Sequence, residues 1–185
     1  AKAIRLSAIR QISVLALINT RDRGKDAAGA ALIDNEKTYC AIKYGKEIID
    51  LISAEKSKTN KQTWMEDFIT YWKDNAAKQR LFMGHCRAAT TGEEGDNKNN
   101  HPIIVPAKLH NEAWKHTFIG IHNGIITNHS ELFKDEGLDE KRIGEVDSEI
   151  IFQLIAKEVG DSEPTIEHLK TVAAKLEGDF SIIAS

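Results

Sequence analysis

Apolar residues recur at helical spacing near the start of the chain. Ile12, Leu15 and neighbouring apolar residues return to one side of a 3.6-residue period, which predicts an amphipathic helix over residues 7–20. A second helix is predicted after Asn60, a residue type suited to an N-cap, and we interpret its aromatic stripe as core packing. Both predictions rest on period and capping alone.

Short apolar runs predict five strands. The first two, residues 27–33 and 38–44, flank the turn signal Asp34-Asn35 and are interpreted as a hairpin. The remaining three cover residues 80–87, 117–121 and 180–184. The strand over 117–121 is followed at once by Asn123-Gly124, a dipeptide typical of two-residue hairpin turns.

Two further helices are predicted in the second half of the chain. Asp147 precedes a periodic apolar run that includes Ile150 and Leu154, which places it at a helix N-terminus, and another helix covers 163–176. Residues 91–100 are polar and contain glycine, as expected of a hydrated loop. Clusters of strands with helices between them indicate an α+β fold of stacked layers, not an alternating βαβ sheet.

Composition narrows the class of protein. The 185 residues are 41% hydrophobic and 29% charged, with a formal net charge of −3, which is ordinary for a globular protein and gives no basic surplus for nucleic acid. No apolar run approaches the roughly 18 residues that span a bilayer, and no signal peptide is visible, so we expect a cytoplasmic protein without a membrane partner. The two cysteines, Cys40 and Cys86, suggest reduced thiols.

Asn123-Gly124 is the first of several polar segments that lie at predicted strand ends. A side-chain amide beside an unhindered backbone N–H offers two donors that can hold a developing oxyanion. A hairpin turn is the competing interpretation, and for an isolated Asn-Gly it is the commoner one.

Arg87 and Asp147 form a second pair of candidates. Arg87 at a strand end can grip a carboxylate through two parallel hydrogen bonds, although a lone arginine is more often in a surface ion pair. Asp147 can receive an ammonium group, although a lone aspartate at a helix start is more often an N-cap. Taken together, the two residue types fit a free amino acid.

The histidines and Cys86 suggest two further kinds of site, a zinc site and a thiol nucleophile. The spacing of His85, Cys86, His101 and His122 matches no usual zinc pattern, so no metal site is predicted. His85 and Cys86 are adjacent and point to opposite faces of a strand, which makes them a poor base–nucleophile pair. His101 or His122 remains open as a partner for the Cys86 thiol.

The same segments, in the same order, resemble the motifs of class II glutamine amidotransferases, the N-terminal-nucleophile type. The resemblance is strongest to the glutaminase domain of glucosamine-6-phosphate synthase, with some features of amidophosphoribosyltransferase, and it covers residues 9–185. It rests on these segments: Arg23-Gly24-x-Asp26-x-Ala28-Gly29, Gly84-His85-x-Arg87-x-Ala89-Thr90-x-Gly92, Asn100-His101-Pro102, His122-Asn123-Gly124-Ile125-Ile126-x-Asn128, Asp147-Ser148-Glu149 and Gly178-Asp179-Phe180-Ser181.

The resemblance implies a four-layer αββα sandwich of two antiparallel sheets between helices. It also implies an N-terminal cysteine that attacks the side-chain amide of glutamine and yields glutamate and ammonia, without a cofactor. Roles are implied for the following residues: Asn123 and Gly124 as the oxyanion hole, Arg23 near the nucleophile, Arg87 for the α-carboxylate, Asp147 for the α-amino group, and Thr90 and Thr91 lining the pocket.

The sequence departs from the family at its first residue, which is Ala1 where the family begins Cys-Gly-Ile. Three interpretations compete: the cysteine precedes Ala1, the cysteine has been lost and the chain binds glutamine or serves as a scaffold, or Cys86 replaces it. We favour the first, since the binding residues are all present.

The expected organisation is a single amidotransferase domain over 1–185 that lacks the family's first strand and last strands. The expected partners are glutamine and an acceptor or synthase domain or subunit, with self-association left open.

Overall fold

The computed structural model describes residues 2–36, 39–49, 70–71, 78–89, 91–109, 112–113 and 116–185. The helix predicted after Asn60 lies outside these residues. The chain divides into two compact units, the first made of 1–90 and 94–102 and the second of 91–93 and 103–185.

The first unit begins with helix α1, Lys2–Asn19, which extends the predicted amphipathic helix toward the N-terminus. Leu17 near its end is buried and packs beside Gly84, whose lack of a side chain makes room for the leucine. Ile12 and Leu15 are 65% and 56% exposed, so only part of the predicted apolar stripe is covered.

Three antiparallel strands form the sheet of the first unit. They are β1, Ala27–Asp34, β2, Tyr39–Tyr44, and β3, Gln79–Arg87, in the order β2-β1-β3. Every residue of β1 is buried, as expected for a central strand, and Ala31 pairs with Ala41 on one side and Met83 on the other. The predicted hairpin and the strand ending at Arg87 are therefore confirmed.

The second unit contains a three-stranded antiparallel sheet and a small hairpin. Its strands are β4, Ile103–Val105, the hairpin pair β5, Lys108–Leu109, and β6, Glu112–Ala113, then β7, Phe118–Ile126, and β8, Gly178–Ala184. The sheet order is β4-β7-β8, with β7 in the centre.

The described part of the second unit also contains three α-helices. They are α2, His129–Asp135, α3, Ser148–Val159, and α4, Ile166–Ala173. Helix α3 packs on β7 and β4, and most of its residues are buried, including Phe152 and Ile155. Helix α4 is shorter than predicted because a capping box at Thr165 and His168 sets its start.

The predicted turn at Asn123-Gly124 is wrong. Strand β7 continues through both residues to Ile126, and Asn123 and Gly124 pair with Ser181 and Phe180 of β8. The glycine serves close strand contact: a Cβ at Gly124 would lie 2.8 Å from the Cα of Phe180 and closer still to the carbonyl oxygen of Asp179. The Asn-Gly signal thus marks a tight strand pairing with a backbone φ of +140°, not a chain reversal.

The observed elements place the protein in the α+β class with two antiparallel three-stranded sheets, as predicted. No helix among the described residues is long and apolar enough to cross a membrane.

Candidate functional site

Arg87 is the last residue of β3 and its side chain is almost entirely buried, with 5% of its surface exposed. Its Nη1 donates a hydrogen bond of 2.9 Å to Oδ1 of Asn100. A guanidinium is rarely buried without a structural or binding role, because removing its charge from water costs free energy. The surface ion-pair interpretation of Arg87 is therefore wrong.

The glycine-containing motif near residue 23 holds the backbone around Arg87. The Asp26 N–H donates to the Arg87 carbonyl at 3.0 Å, and Asp26 Oδ2 accepts from the Ala89 N–H at 2.7 Å. Any side chain at Gly24 would overlap the backbone of Arg87 and Ala88. The two motif residues thus fix the strand end from which the guanidinium projects.

Gly29, on the neighbouring strand β1, also allows backbone segments to lie close together. A Cβ there would lie 2.8 Å from the Ile42 carbonyl oxygen and closer to that of His101. The missing side chain lets the backbone of His101 lie against β1, and the ring of His101 contacts that of His85, with centroids 4.3 Å apart. This contact brings the Asn100-His101 step to the sheet that carries Arg87.

Three other residues were predicted to belong to the site: Arg23, Thr90 and Thr91. Arg23 closes a short 3-10 turn, Arg21–Arg23, and its side chain is exposed. Thr90 lies outside the described residues, and Thr91 is exposed at the start of the following loop. Their predicted roles therefore stay predictions.

Cys86 is poorly suited to act as a nucleophile. Its thiol is buried, with Sγ 3.4 Å from the Leu17 carbonyl oxygen that accepts from it and 3.3 Å from the Thr20 hydroxyl. Burial raises the pKa of the thiol, and the hydrogen bond from Thr20 offsets only part of this effect. A protonated, enclosed thiol argues for a packing role.

Asn123 and Gly124 lie side by side on β7 in the second unit. Both are exposed, whereas their neighbour His122 is buried. Donors for an oxyanion must be accessible to a substrate, and both residues lie on exposed positions of the strand.

Asp147 stands directly before α3 and is buried, with 6% of its surface exposed. Its side chain makes no capping hydrogen bond to the helix; Oδ2 instead accepts from the N–H of Ile126, at the end of β7, at 2.8 Å. Oδ1 lies 3.5 Å from the Ser148 hydroxyl, the outer limit for a hydrogen bond. The carboxylate is therefore oriented by the strand that carries Asn123 and Gly124.

Glu149 is a buried carboxylate that sequence reasoning did not assign. It accepts hydrogen bonds of 2.7 Å from the N–H groups of Ile143 and Gly144, and one of 2.6 Å from Nε2 of Gln153. These bonds secure the segment that leads into Asp147. Its place in the Asp-Ser-Glu motif was the only available signal.

His122 links the strand to the helix from the buried side. Its Nδ1 lies 2.8 Å from the Ser148 hydroxyl, and the ring is 3% exposed. Burial lowers the pKa of His122, while the negative charge of Asp147 works in the opposite direction. The imidazole is thus kept neutral near pH 7, consistent with a structural link between β7 and α3.

His122 should contribute to the pH dependence of the free energy of unfolding. Its pKa in the folded chain lies below the unfolded value of about 6.5, so the unfolded state binds the proton first. The contribution of neutral His122 to the free energy of unfolding is fully present above about pH 6.5 and is lost as the pH falls toward the pKa of the folded state. In urea unfolding from about pH 8 to 5.5, His122→Asn should show a shallower decline than the wild type, by at most about 1.4 kcal/mol per pH unit. Equal slopes would contradict this assignment.

No group of three or more metal-ligating side chains occurs within the described part of the chain. In the first unit the candidate residues are Arg87 and Asn100, which share a hydrogen bond. In the second unit they are Asn123, Gly124 and Asp147, with the Asp147 carboxylate bonded to the N–H of Ile126 on the strand that carries the other two.

Comparison with known proteins supplies relatives in two enzyme groups. The chain is 37% identical over 163 residues to the glutamine–fructose-6-phosphate aminotransferase of Aquifex aeolicus, and 29% identical over 163 residues to that of Francisella tularensis. Each match covers 86% of this chain and 22% of the relative. The amidophosphoribosyltransferase of Methanocaldococcus jannaschii is 27% identical over 168 residues, which are 90% of this chain and 30% of that protein. No family model matches the chain.

A solved structure shows the same fold. Glutamine phosphoribosylpyrophosphate amidotransferase from B. subtilis, complexed with ADP and GMP, superposes with a TM-score of 0.62 over 95% of this chain and 32% of its own, at 19% identity. The chain spans about a fifth of the length of the aminotransferases it matches. In sequence the chain is similar to glutamine-dependent aminotransferases and amidophosphoribosyltransferases, and its fold matches that of the amidotransferase, as in a class II glutamine amidotransferase domain.

Proposed function

We propose that this domain hydrolyses the side-chain amide of glutamine and delivers the nitrogen to an acceptor. The observation that carries this is the homology with two groups of glutamine-using transferases over 86–90% of the chain, combined with a buried arginine and a buried aspartate at the motif positions.

The arginine and the aspartate suit the two charged groups of an amino acid. Arg87 would bind the α-carboxylate, because its planar guanidinium can donate two parallel hydrogen bonds to a carboxylate. Asp147 would bind the α-ammonium group, with its carboxylate already oriented by the Ile126 N–H. Pre-oriented groups lose little conformational entropy on binding, which favours recognition of a small ligand.

The scissile amide would be activated through its oxygen. When a thiolate adds to the amide carbon, negative charge develops on that oxygen, and Asn123 Nδ2 and the Gly124 N–H would donate to it. Removing one such donor typically lowers the rate by about 100-fold or more. Thr90 and Thr91 would line the pocket, and Arg23 would lie near the nucleophile.

The nucleophile would be a cysteine that precedes Ala1 in the full-length protein. Neither internal cysteine suits the role, since Cys86 is buried with a raised pKa and Cys40 lies within β2. The free α-amine of that residue would take the thiol proton and pass it to the departing nitrogen as the C–N bond breaks. Water would then cleave the thioester, releasing glutamate and restoring the thiol.

The ammonia would be consumed by an acceptor or synthase domain or subunit. The relatives are named as transferases of nitrogen to a sugar phosphate or as amidophosphoribosyltransferases, and this chain matches only a fraction of their length.

Glutamate release by the full-length protein tests the proposed reaction. We expect L-glutamine to yield equal amounts of glutamate and ammonia when no acceptor is present, and Cys→Ser at the mature N-terminus to abolish both. Cys86→Ser serves as the matched control and should retain activity, because its thiol is enclosed by Leu17 and Thr20. Absence of glutamate from a protein with an intact N-terminal cysteine would refute glutamine hydrolysis.

A further inference from the structure

Asn100 occupies an unusual position for an asparagine in a polar loop. It follows the short 3-10 turn Asn97–Asn99 and is completely buried, with 0% of its surface exposed. Burying an amide is costly unless its donor and acceptor groups find partners. Both the Nδ2 donor and the Oδ1 acceptor of Asn100 have hydrogen-bond partners.

The partners of Asn100 determine which way its amide faces. Nδ2 donates to the Glu94 carbonyl oxygen at 2.7 Å and lies 3.3 Å from Oδ1 of Asn97, while Oδ1 accepts from Nη1 of Arg87 at 2.9 Å. Glu94 offers an acceptor and Arg87 only donors, so the opposite orientation would place like groups together at both ends. The acceptor end is therefore directed at the guanidinium.

The loop end of this connection is also held. A Cβ at Gly45, just after β2, would lie 2.5 Å from the Glu94 carbonyl oxygen, so the glycine allows the loop to lie close against the chain there. Asn100 thus connects the guanidinium of Arg87 to a backbone carbonyl whose own position is restricted by packing.

The neutrality of the amide matters as much as its geometry. A carboxylate at this position would bind the guanidinium equally well but would neutralise it and compete with an anionic ligand. An amide oxygen restricts the guanidinium without adding a negative charge beside it.

We propose that Asn100 is a positioning residue that holds the Arg87 guanidinium ready for the α-carboxylate of the substrate. This inference rests on the proposed glutamine-binding function and adds a residue to it. Asn100 does not touch the substrate; it acts through Arg87. Its loss should therefore affect only ligands that carry the carboxylate.

The test compares two ligands on the 185-residue chain by calorimetric titration: L-glutamine, and its α-amide, which lacks the carboxylate. Asn100→Ala should weaken binding of L-glutamine by roughly tenfold, because a hydrogen bond to a charged group is removed. Binding of the α-amide should be unchanged. Asn100→Asp should weaken L-glutamine binding at least as much, again with no loss for the α-amide, and it provides a second variant if the alanine protein does not fold.

Asn128→Ala is the matched control, since Asn128 also bridges backbone groups through its side chain, at Lys175 and Glu177, but lies far along the chain from Arg87. It should bind L-glutamine as the wild type does. Equal weakening of both ligands in the Asn100 variants would show a purely structural role and overturn the inference.

Two other outcomes separate the inference from the function on which it rests. If Arg87→Ala abolishes L-glutamine binding while both folded Asn100 variants bind normally, the positioning role is wrong and the proposed function stands. If the wild-type chain does not bind L-glutamine, glutamine recognition by these residues is itself contradicted, and the positioning role fails with it.

Discussion

Replacing Arg87 with alanine should weaken binding of L-glutamine by at least about 30-fold. Truncating one partner of a hydrogen-bonded charge pair in a buried setting typically costs about 2–5 kcal/mol, and about 2 kcal/mol corresponds to this change in Kd. The side chain is 5% exposed and its direction is set by Asn100, so little water or side-chain rearrangement is available to compensate. Calorimetric titration of the folded variant measures the change.

Arg21→Ala is the control for this substitution. Arg21 is also an arginine of the first unit, but it forms a surface ion pair with Glu47 at 2.9 Å, and its side chain is 40% exposed. Exposed pairs contribute about 0–1 kcal/mol, so the variant should keep both its stability and its Kd for L-glutamine. If Arg87→Ala bound L-glutamine as tightly as Arg21→Ala, the assignment of the α-carboxylate to Arg87 would be wrong.

Gly124→Ala should be among the most destabilising single substitutions in the second unit. The backbone φ of +140° disfavours any L side chain, and the new Cβ would also press into the β8 backbone at Asp179 and Phe180. We expect the free energy of unfolding to fall by roughly 3 kcal/mol, since neither backbone can move away without breaking the β7–β8 pairing. Urea unfolding of the variant measures this loss.

Gly137→Ala separates the two causes. Gly137 has a φ of +65°, but nothing lies within 4 Å of the position its Cβ would take. Its substitution should therefore lower the free energy of unfolding only through the strain of a left-handed backbone, by about 1–2 kcal/mol. Equal losses in the two variants would show that the close approach of β8 contributes nothing, and the explanation of the Asn-Gly strand would need revision.

Regular elements were predictable where local pattern and packing agree. The hairpin of β1 and β2 and the end of β3 at Arg87 follow from short apolar runs with a turn signal between or after them. The Asn123-Gly124 turn failed because dipeptide preference records only local backbone freedom. Whether that freedom serves a reversal or a close neighbouring strand depends on β8, more than 50 residues further on.

The residue types of the motifs predicted the class of ligand, but they did not predict how deeply each side chain is buried or what it contacts. Arginine and aspartate suggested an amino-acid ligand, yet their burial could not be read from residue type. Asn100 was assigned to a hydrated loop because asparagine beside lysine and glycine is usually exposed; its burial arises from the contact of His101 with Gly29, a long-range packing event. The burial of Glu149 likewise could not be read from residue type, although its partners Ile143, Gly144 and Gln153 are local in sequence.

Recognition of a free amino acid at both charged ends can be measured directly with three ligands on the wild-type chain. L-Glutamine is compared in one calorimetric series with its α-amide, which lacks the carboxylate, and with its desamino analogue, which lacks the ammonium group. We expect L-glutamine to bind and each truncated ligand to bind at least about tenfold more weakly, because each loses a charge-assisted contact. Equal affinity for all three ligands, or no binding of L-glutamine, would contradict the roles of Arg87 and Asp147.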